Sequence, residues 1–132
     1  MVGGVDQKAR RAAVTKALRA RKVALRKGHW RIPGPEITWI VDLRADGPAP
    51  AAAMRFEIGA WASALGPEPD GGAVDCALLA DVLLEGEAGA AATALVDRLA
   101  ELGTVESLAA ARSRGDFADA YVDRDLRELM GE

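Results

Sequence analysis

Between the turn Pro33-Gly34-Pro35 and the break Gly47-Pro48-Ala49-Pro50, Ile37, Trp39, Val41 and Leu43 alternate with Glu36, Thr38, Ile40, Asp42 and Arg44. Successive side chains of an extended chain point to opposite sides, so this period of two marks a strand with one apolar face. The pattern returns after the break, where Met54, Phe56, Ile58 and Ala60 alternate with Arg55, Glu57, Gly59 and Trp61. Consecutive strands joined by a short connection pair antiparallel. A chain with this centre folds around an antiparallel sheet, one face of which has to be covered.

The flanking segments supply the cover. Asp6 is placed to cap a helix over Gln7 to about Lys22, with Ala13, Val14, Ala17 and Leu18 at helical spacing. Val23 to Ile32 reads as extended, with its apolar phase changing at Lys27-Gly28, which predicts a bulge or tight turn there. Val74, Cys76, Leu78, Ala80 and Val82 share one phase of a more deeply buried strand. From Glu87 to Leu102 the apolar residues have helical spacing, and Gly103 stands where a C-terminal cap belongs. Thr104 can cap a short helix through Ala111, and Asp116 a last one with Phe117, Tyr121, Leu126, Leu129 and Met130 turned inward. The expected architecture is a single α+β domain over residues 1–132: an antiparallel sheet of about four strands, with an N-terminal helix and C-terminal helices packed on one face. The length of 132 residues suits one domain rather than two.

Composition narrows the chemistry. The single cysteine, Cys76, cannot form an internal disulfide or a zinc site built on several thiolates. The single histidine, His29, rules out a two-histidine metal site within one chain, and any nucleophile with a histidine base would have to use it. Acid and base work by carboxylates survives, as does a hard oxygen-bound cation, but neither a metal nor another cofactor is called for. No apolar stretch is long enough for a membrane span, and the opening Met1-Val2-Gly3-Gly4-Val5-Asp6 has no apolar core of an export signal, so a cytoplasmic location is expected. The heavy use of Ala, Gly, Arg and Asp with little Ile and Asn looks like a bacterial genome rich in G and C.

Charge is divided along the chain. Residues 1–32 carry ten Lys or Arg against Asp6 alone, a net of +9, while the rest carries seven against nineteen, a net of -12. Such a basic segment can dock phosphates or an acidic partner, with Arg11, Arg19 and Lys22 as candidate contacts. It can equally lie beside acidic helices of the same fold in solvated pairs of about 0 to 1 kcal/mol each. Trp30 is the one aromatic ring in the run besides His29, and this lack of stacking platforms argues against nucleic acid.

On the second sheet face stand Thr38, Asp42, Arg44, Arg55, Glu57, Trp61, Asp75 and Asp81. Left to water, this face would carry ordinary cross-strand charge pairs. Its sharper reading is a cleft in which Asp42 and Glu57 are paired carboxylates, Arg44 or Arg55 binds an anionic group, and Trp61 forms a wall. His29 is a second candidate, as a general base, with Trp30 either stacking on a ligand or, in the plainer reading, packed in the core. Trp39 and Cys76 belong to the apolar phase and read as core. The stretch from Gly66 to Gly72 lacks the Lys and Ser or Thr of a phosphate loop, and serves as a connector or as a lid over the cleft.

The segments Arg26-Lys27-Gly28-His29-Trp30-Arg31, Thr38-Trp39-Ile40-Val41-Asp42-Leu43, Met54-Arg55-Phe56-Glu57-Ile58-Gly59 and Asp75-Cys76-Ala77-Leu78 follow a basic amphipathic helix. In this order they resemble the small bacterial domain-of-unknown-function family numbered 4304. That resemblance implies an α+β fold and no established activity, so it transfers no catalytic residue. The residues by themselves support a binding or accessory module for a small molecule or an acidic protein partner, with a homodimer interface at the exposed face equally compatible. The alternative is a small cofactor-independent enzyme using Asp42, Glu57 or His29 for proton transfer. Nucleic-acid binding through the basic helix comes third.

Overall fold

The computed structural model describes residues 6–132. The opening segment read above for an export signal, residues 1–5, lies outside them. Helix α1 spans Gln7–Ala20, with Asp6 accepting the Ala9 N–H at 2.8 Å and with Val14 and Leu18, one turn apart, buried. Strands β1 (Ala24–Arg26) and β2 (His29–Ile32) form a hairpin. Its two turn residues, Lys27 and Gly28, have φ of 53° and 82°, the pair of left-handed residues that matches the twist of tight hairpins. The change of apolar phase at this point is therefore a full reversal of the chain, and one expected extended segment becomes two strands.

Strands β3 (Ile37–Ala45) and β4 (Met54–Ala62) pair over their whole length, with Asp42 opposite Glu57 and Trp39 opposite Ala60. Strand β5 is Leu78–Leu83 and β6 is Tyr121–Val122, and all six strands lie in the order β1-β2-β3-β4-β5-β6, every neighbour antiparallel. The sheet thus exceeds the four strands expected. Helices α2 (Ala88–Ala100), α3 (Val105–Ser113) and α4 (Arg124–Leu129) complete the α+β architecture.

One sheet face carries the core. Trp39, Val41 and Leu43 of β3 meet Phe56 and Ile58 of β4, together with Val14 and Leu18 of α1 and Leu95 and Leu99 of α2. Trp39 is fully buried, donates from Nε1 to the Leu102 carbonyl at 2.9 Å, and stacks on Phe117 with ring centroids 5.6 Å apart. Such a pair adds about 0.5–1.5 kcal/mol to the area it buries. Gly103 does not act as the left-handed cap expected of it. Its carbonyl instead accepts the backbone N–H groups of Glu36 and Ile37, tying the α2–α3 junction to the start of β3.

Three further expectations change. The strand expected from Val74 begins at Leu78, because Ala73–Asp75 forms a turn of 3-10 helix in place of extended chain, and it is not deeply buried: only Leu78 is, while Leu83 is exposed. No helix starts at Asp116: Phe117 has φ of 60°, and the last helix begins after Asp123, whose side chain accepts the Leu126 N–H. Tyr121 consequently sits in β6 and is 62% exposed rather than turned inward. Thr104 does cap α3, in a reciprocal capping box with Ser107. No helix of the described residues is long and apolar enough to cross a membrane.

Candidate functional site

Only part of the second sheet face is left to water, where Arg44, Arg55 and Asp81 form cross-strand ion pairs. The segment between β4 and β5 folds back over the rest, and the Ala73–Asp75 turn packs on β3 and β4. Gly59 permits this approach: a Cβ there would stand 2.6 Å from the Ala73 carbonyl oxygen and 2.8 Å from the Cys76 Cβ. Under the segment, Ile40 and Asp42 are only 3% and 5% exposed, although both point away from the main core.

Asp42 is the centre of the arrangement. Its Oδ1 lies 2.5 Å from His29 Nδ1, and its Oδ2 accepts the Ala73 N–H at 3.1 Å. As a carboxylate Asp42 can only accept, so the ring donates from Nδ1 and a neutral His29 keeps its lone pair on Nε2. The side chain of His29 is 23% exposed, that of Asp42 6%. Asp42 therefore fixes the tautomer and orientation of an imidazole that still reaches solvent, the relation that a general base has to its orienting carboxylate.

Around His29 the hairpin places Arg26, Lys27 and Arg31. Arg31 donates from Nε and its terminal nitrogen to Glu68 Oε1, and Arg26 stands 3.6 Å from Glu68 Oε2. Lys27 donates to Asp70 at 2.7 Å and holds the Asp70 carboxyl below its usual range. The cleft bounded by these groups and by Ile40, Pro69 and Gly72 has a volume of about 10 Å³, room for one water.

The expected pair Asp42 and Glu57 are direct cross-strand partners, and Asp81 stands next in the same row. Their environments differ. Glu57 accepts from Arg44 at 2.7 Å, an ion pair that raises the Arg44 pKa, while Arg55 bonds Asp46 and approaches Glu57 at 3.9 Å and Asp81 at 3.6 Å. Arg44 and Arg55 are thus engaged by carboxylates of their own sheet face, away from His29. Trp61 donates from Nε1 to the Gly66 carbonyl at 2.9 Å and pins the near end of the covering segment.

Trp30 pairs with Val41, packs against the main core, and so lies on the face opposite His29. Trp30 thus takes its core role, and the alternative in which it stacks on a ligand beside His29 is overturned by this register, because adjacent residues of a strand point apart. Cys76 is buried, and desolvation, followed by the charges of Asp75, Asp42 and Glu68, pushes its thiol up to about 12. It is no nucleophile at neutral pH.

The basic run divides between two sides of the sheet. On the helical side Arg10 and Arg11 donate to the carbonyls of Ala52 and Leu43, and Arg21 pairs with Asp97 at 3.0 Å. Arg19 and Lys22 are exposed there, with no ion pair among the described residues. The other half, on the hairpin, surrounds His29. The sequence reading named His29 and Asp42 separately and missed Arg26, Arg31, Glu68 and Asp70. Glu-Pro-Asp at residues 68–70 inside a basic-facing loop was the available signal. Among the described residues no group of three or more His, Cys, Asp or Glu is placed to hold a metal ion.

No family model matches the chain, and neither the curated proteins nor the solved structures give a match.

Proposed function

We propose that the protein is a cytoplasmic binding module for a small anionic molecule, taken between the β1–β2 hairpin and the segment over residues 66–76. The single observation that carries this reading is the cluster of Arg26, Lys27, His29 and Arg31 on one hairpin, gathered beside a buried Asp42 that orients the imidazole. Arginine forks match carboxylate and phosphate geometry, and a histidine ring adds a donor or an acceptor as needed. The test is calorimetric titration at low salt with succinate and with inorganic phosphate, using the wild type, Arg31→Gln and His29→Ala. Saturable binding that weakens by about 10-fold or more in Arg31→Gln supports the reading. Equal heats in all three proteins argue against it.

The hydrogen bond from His29 to Asp42 favours a second reading, proton transfer by His29 as general base. Binding and catalysis separate in Asp42→Asn, which disturbs the tautomer: a proton-transfer enzyme loses rate by about 100-fold or more, whereas a binding module keeps most of its affinity. A protein partner docked on the exposed Arg19 and Lys22 is a third reading, supported by their freedom from ion pairs among the described residues.

A further inference from the structure

We infer that Glu68 and Asp70 are an internal mimic of the ligand. The site takes a small dianion with two acidic groups on a short spacer, which displaces both carboxylates and opens the segment as a lid. This deepens the anion-site reading above and rests on it.

Volume gives the first argument. Small-molecule sites typically enclose about 300–1,000 Å³, and a cleft of about 10 Å³ beside His29 admits no ligand while the segment is down. Any ligand has to replace something, and what fills the basic cluster is a pair of carboxylates. Both oxygens of Glu68 face arginines, Oε1 toward Arg31 and Oε2 toward Arg26, while Asp70 meets Lys27. Pro69 sits between the two acids, fixing its own φ and restricting the backbone of Glu68 before it.

The segment is held mainly at its ends. Its ends are tied by the Trp61 bond to Gly66 and by the Ala73 bond to Asp42. Among the described residues, no backbone hydrogen bond joins residues 67–71 to the sheet. The polar attachments of the middle are the ion pairs of Glu68 and Asp70: the Lys27–Asp70 pair is largely exposed, at 59% and 84% of its side chains, while the Arg31–Glu68 pair is mostly buried, at 21% and 20%. Exposed ion pairs are weak and screened by salt, so Asp70 yields readily to a soluble anion, and a ligand with a second acidic group gains by taking over the stronger Arg31 fork from Glu68. Gly66 and Gly72, with φ of 129° and 83°, bracket the segment where a lid would turn.

If the closed lid competes with ligand, apparent affinity is reduced by the fraction of open protein, and removing the competing charges restores it. The experiment titrates wild type and the double variant Glu68→Gln, Asp70→Asn with succinate, pyrophosphate and acetate. A control, Glu85→Gln with Asp119→Asn, makes the same change of net charge at two exposed positions outside the cleft. The expected result is binding of succinate or pyrophosphate by the double variant at least about 10-fold tighter than by wild type or the control, with acetate bound far more weakly. Of succinate and pyrophosphate, the one bound more tightly names the acid class. Equal affinity of wild type and double variant overturns the mimicry while leaving an anion site in place. No binding by either protein overturns the anion site itself.

Discussion

Gly72 lies against the Nδ1–Cε1 edge of the His29 ring, so close that a Cβ at this position would stand 2.5 Å from Cε1 and 2.7 Å from Asp42 Oδ2. Its φ of 83° is also one that side chains resist. The tight cover over the His29–Asp42 pair therefore depends on the missing side chain. Gly72→Ala should lift the segment locally without unfolding the sheet: hydrogen exchange of the Ala73 N–H, which is bonded to Asp42, should accelerate by about 10-fold or more while core amides of β3 are unchanged. Unchanged exchange at Ala73 would show that the cover does not rely on this contact.

Asp42 holds two donors at a buried position, and its loss leaves both the ring and the Ala73 N–H without a partner. Asp42→Ala should cost about 2–4 kcal/mol in denaturant unfolding, whereas Glu57→Gln, on a more exposed pair with Arg44, should cost less than about 1 kcal/mol. Equal costs at the two positions would mean that burial does not distinguish these neighbouring carboxylates.

Trp39 links the sheet to the α2–α3 junction through its bond to the Leu102 carbonyl and its stack on Phe117. Trp39→Phe removes the donor and leaves a gap, and should destabilise by about 2–4 kcal/mol. A drop of less than 1 kcal/mol, read from the same unfolding curves, would contradict the role given to this contact.

Cys76 links pH to stability in the alkaline range. Its thiol ionises at about 12 in the folded chain against an ordinary value of 9.0, so between these values the unfolded chain holds fewer protons and gains from rising pH. The stability contribution is whole below pH 9 and is lost as pH climbs toward 12, at no more than about 1.4 kcal/mol per pH unit. Wild type should therefore lose stability above pH 9 more steeply than Cys76→Ala, and Cys76 should react with iodoacetamide only on unfolding. Parallel pH profiles for the two proteins would refute the assignment.

The long strands were legible because each has one face in the core: Ile37 to Arg44 and Met54 to Ala60 alternate. Their register, which sets Asp42 opposite Glu57, was not, because the eight residues between Ala45 and Met54 leave the pairing open. The N-terminal helix was legible from Asp6 and the Val14–Leu18 pair. Short edge elements were not. β1 has three residues, all exposed, and β6 has two, so neither writes a period into the sequence. Tyr121 was misassigned for that reason, because a two-residue strand between a turn and a helix reads as more helix.

The candidate site was half legible. Asp42 and His29 each stood out by residue type, but nothing local says that a hairpin turn at Lys27-Gly28 brings His29 opposite Asp42. The covering of the second face was also hidden, because it depends on Gly59 making room for a turn fourteen residues later in the chain. The ion pairs of Arg31 with Glu68 and Lys27 with Asp70 span 37 and 43 residues, beyond the reach of any periodicity.

The central claim is an anion site on the hairpin, and its most direct measurement is a nuclear magnetic resonance titration of wild-type protein with succinate at low ionic strength. It follows the His29 ring, the Arg31 Nε–H group and the backbone amides of residues 67–73. The account predicts saturable changes confined to these groups, weakening as salt is added. Changes absent there, or centred instead on the exposed basic residues of α1, would contradict it.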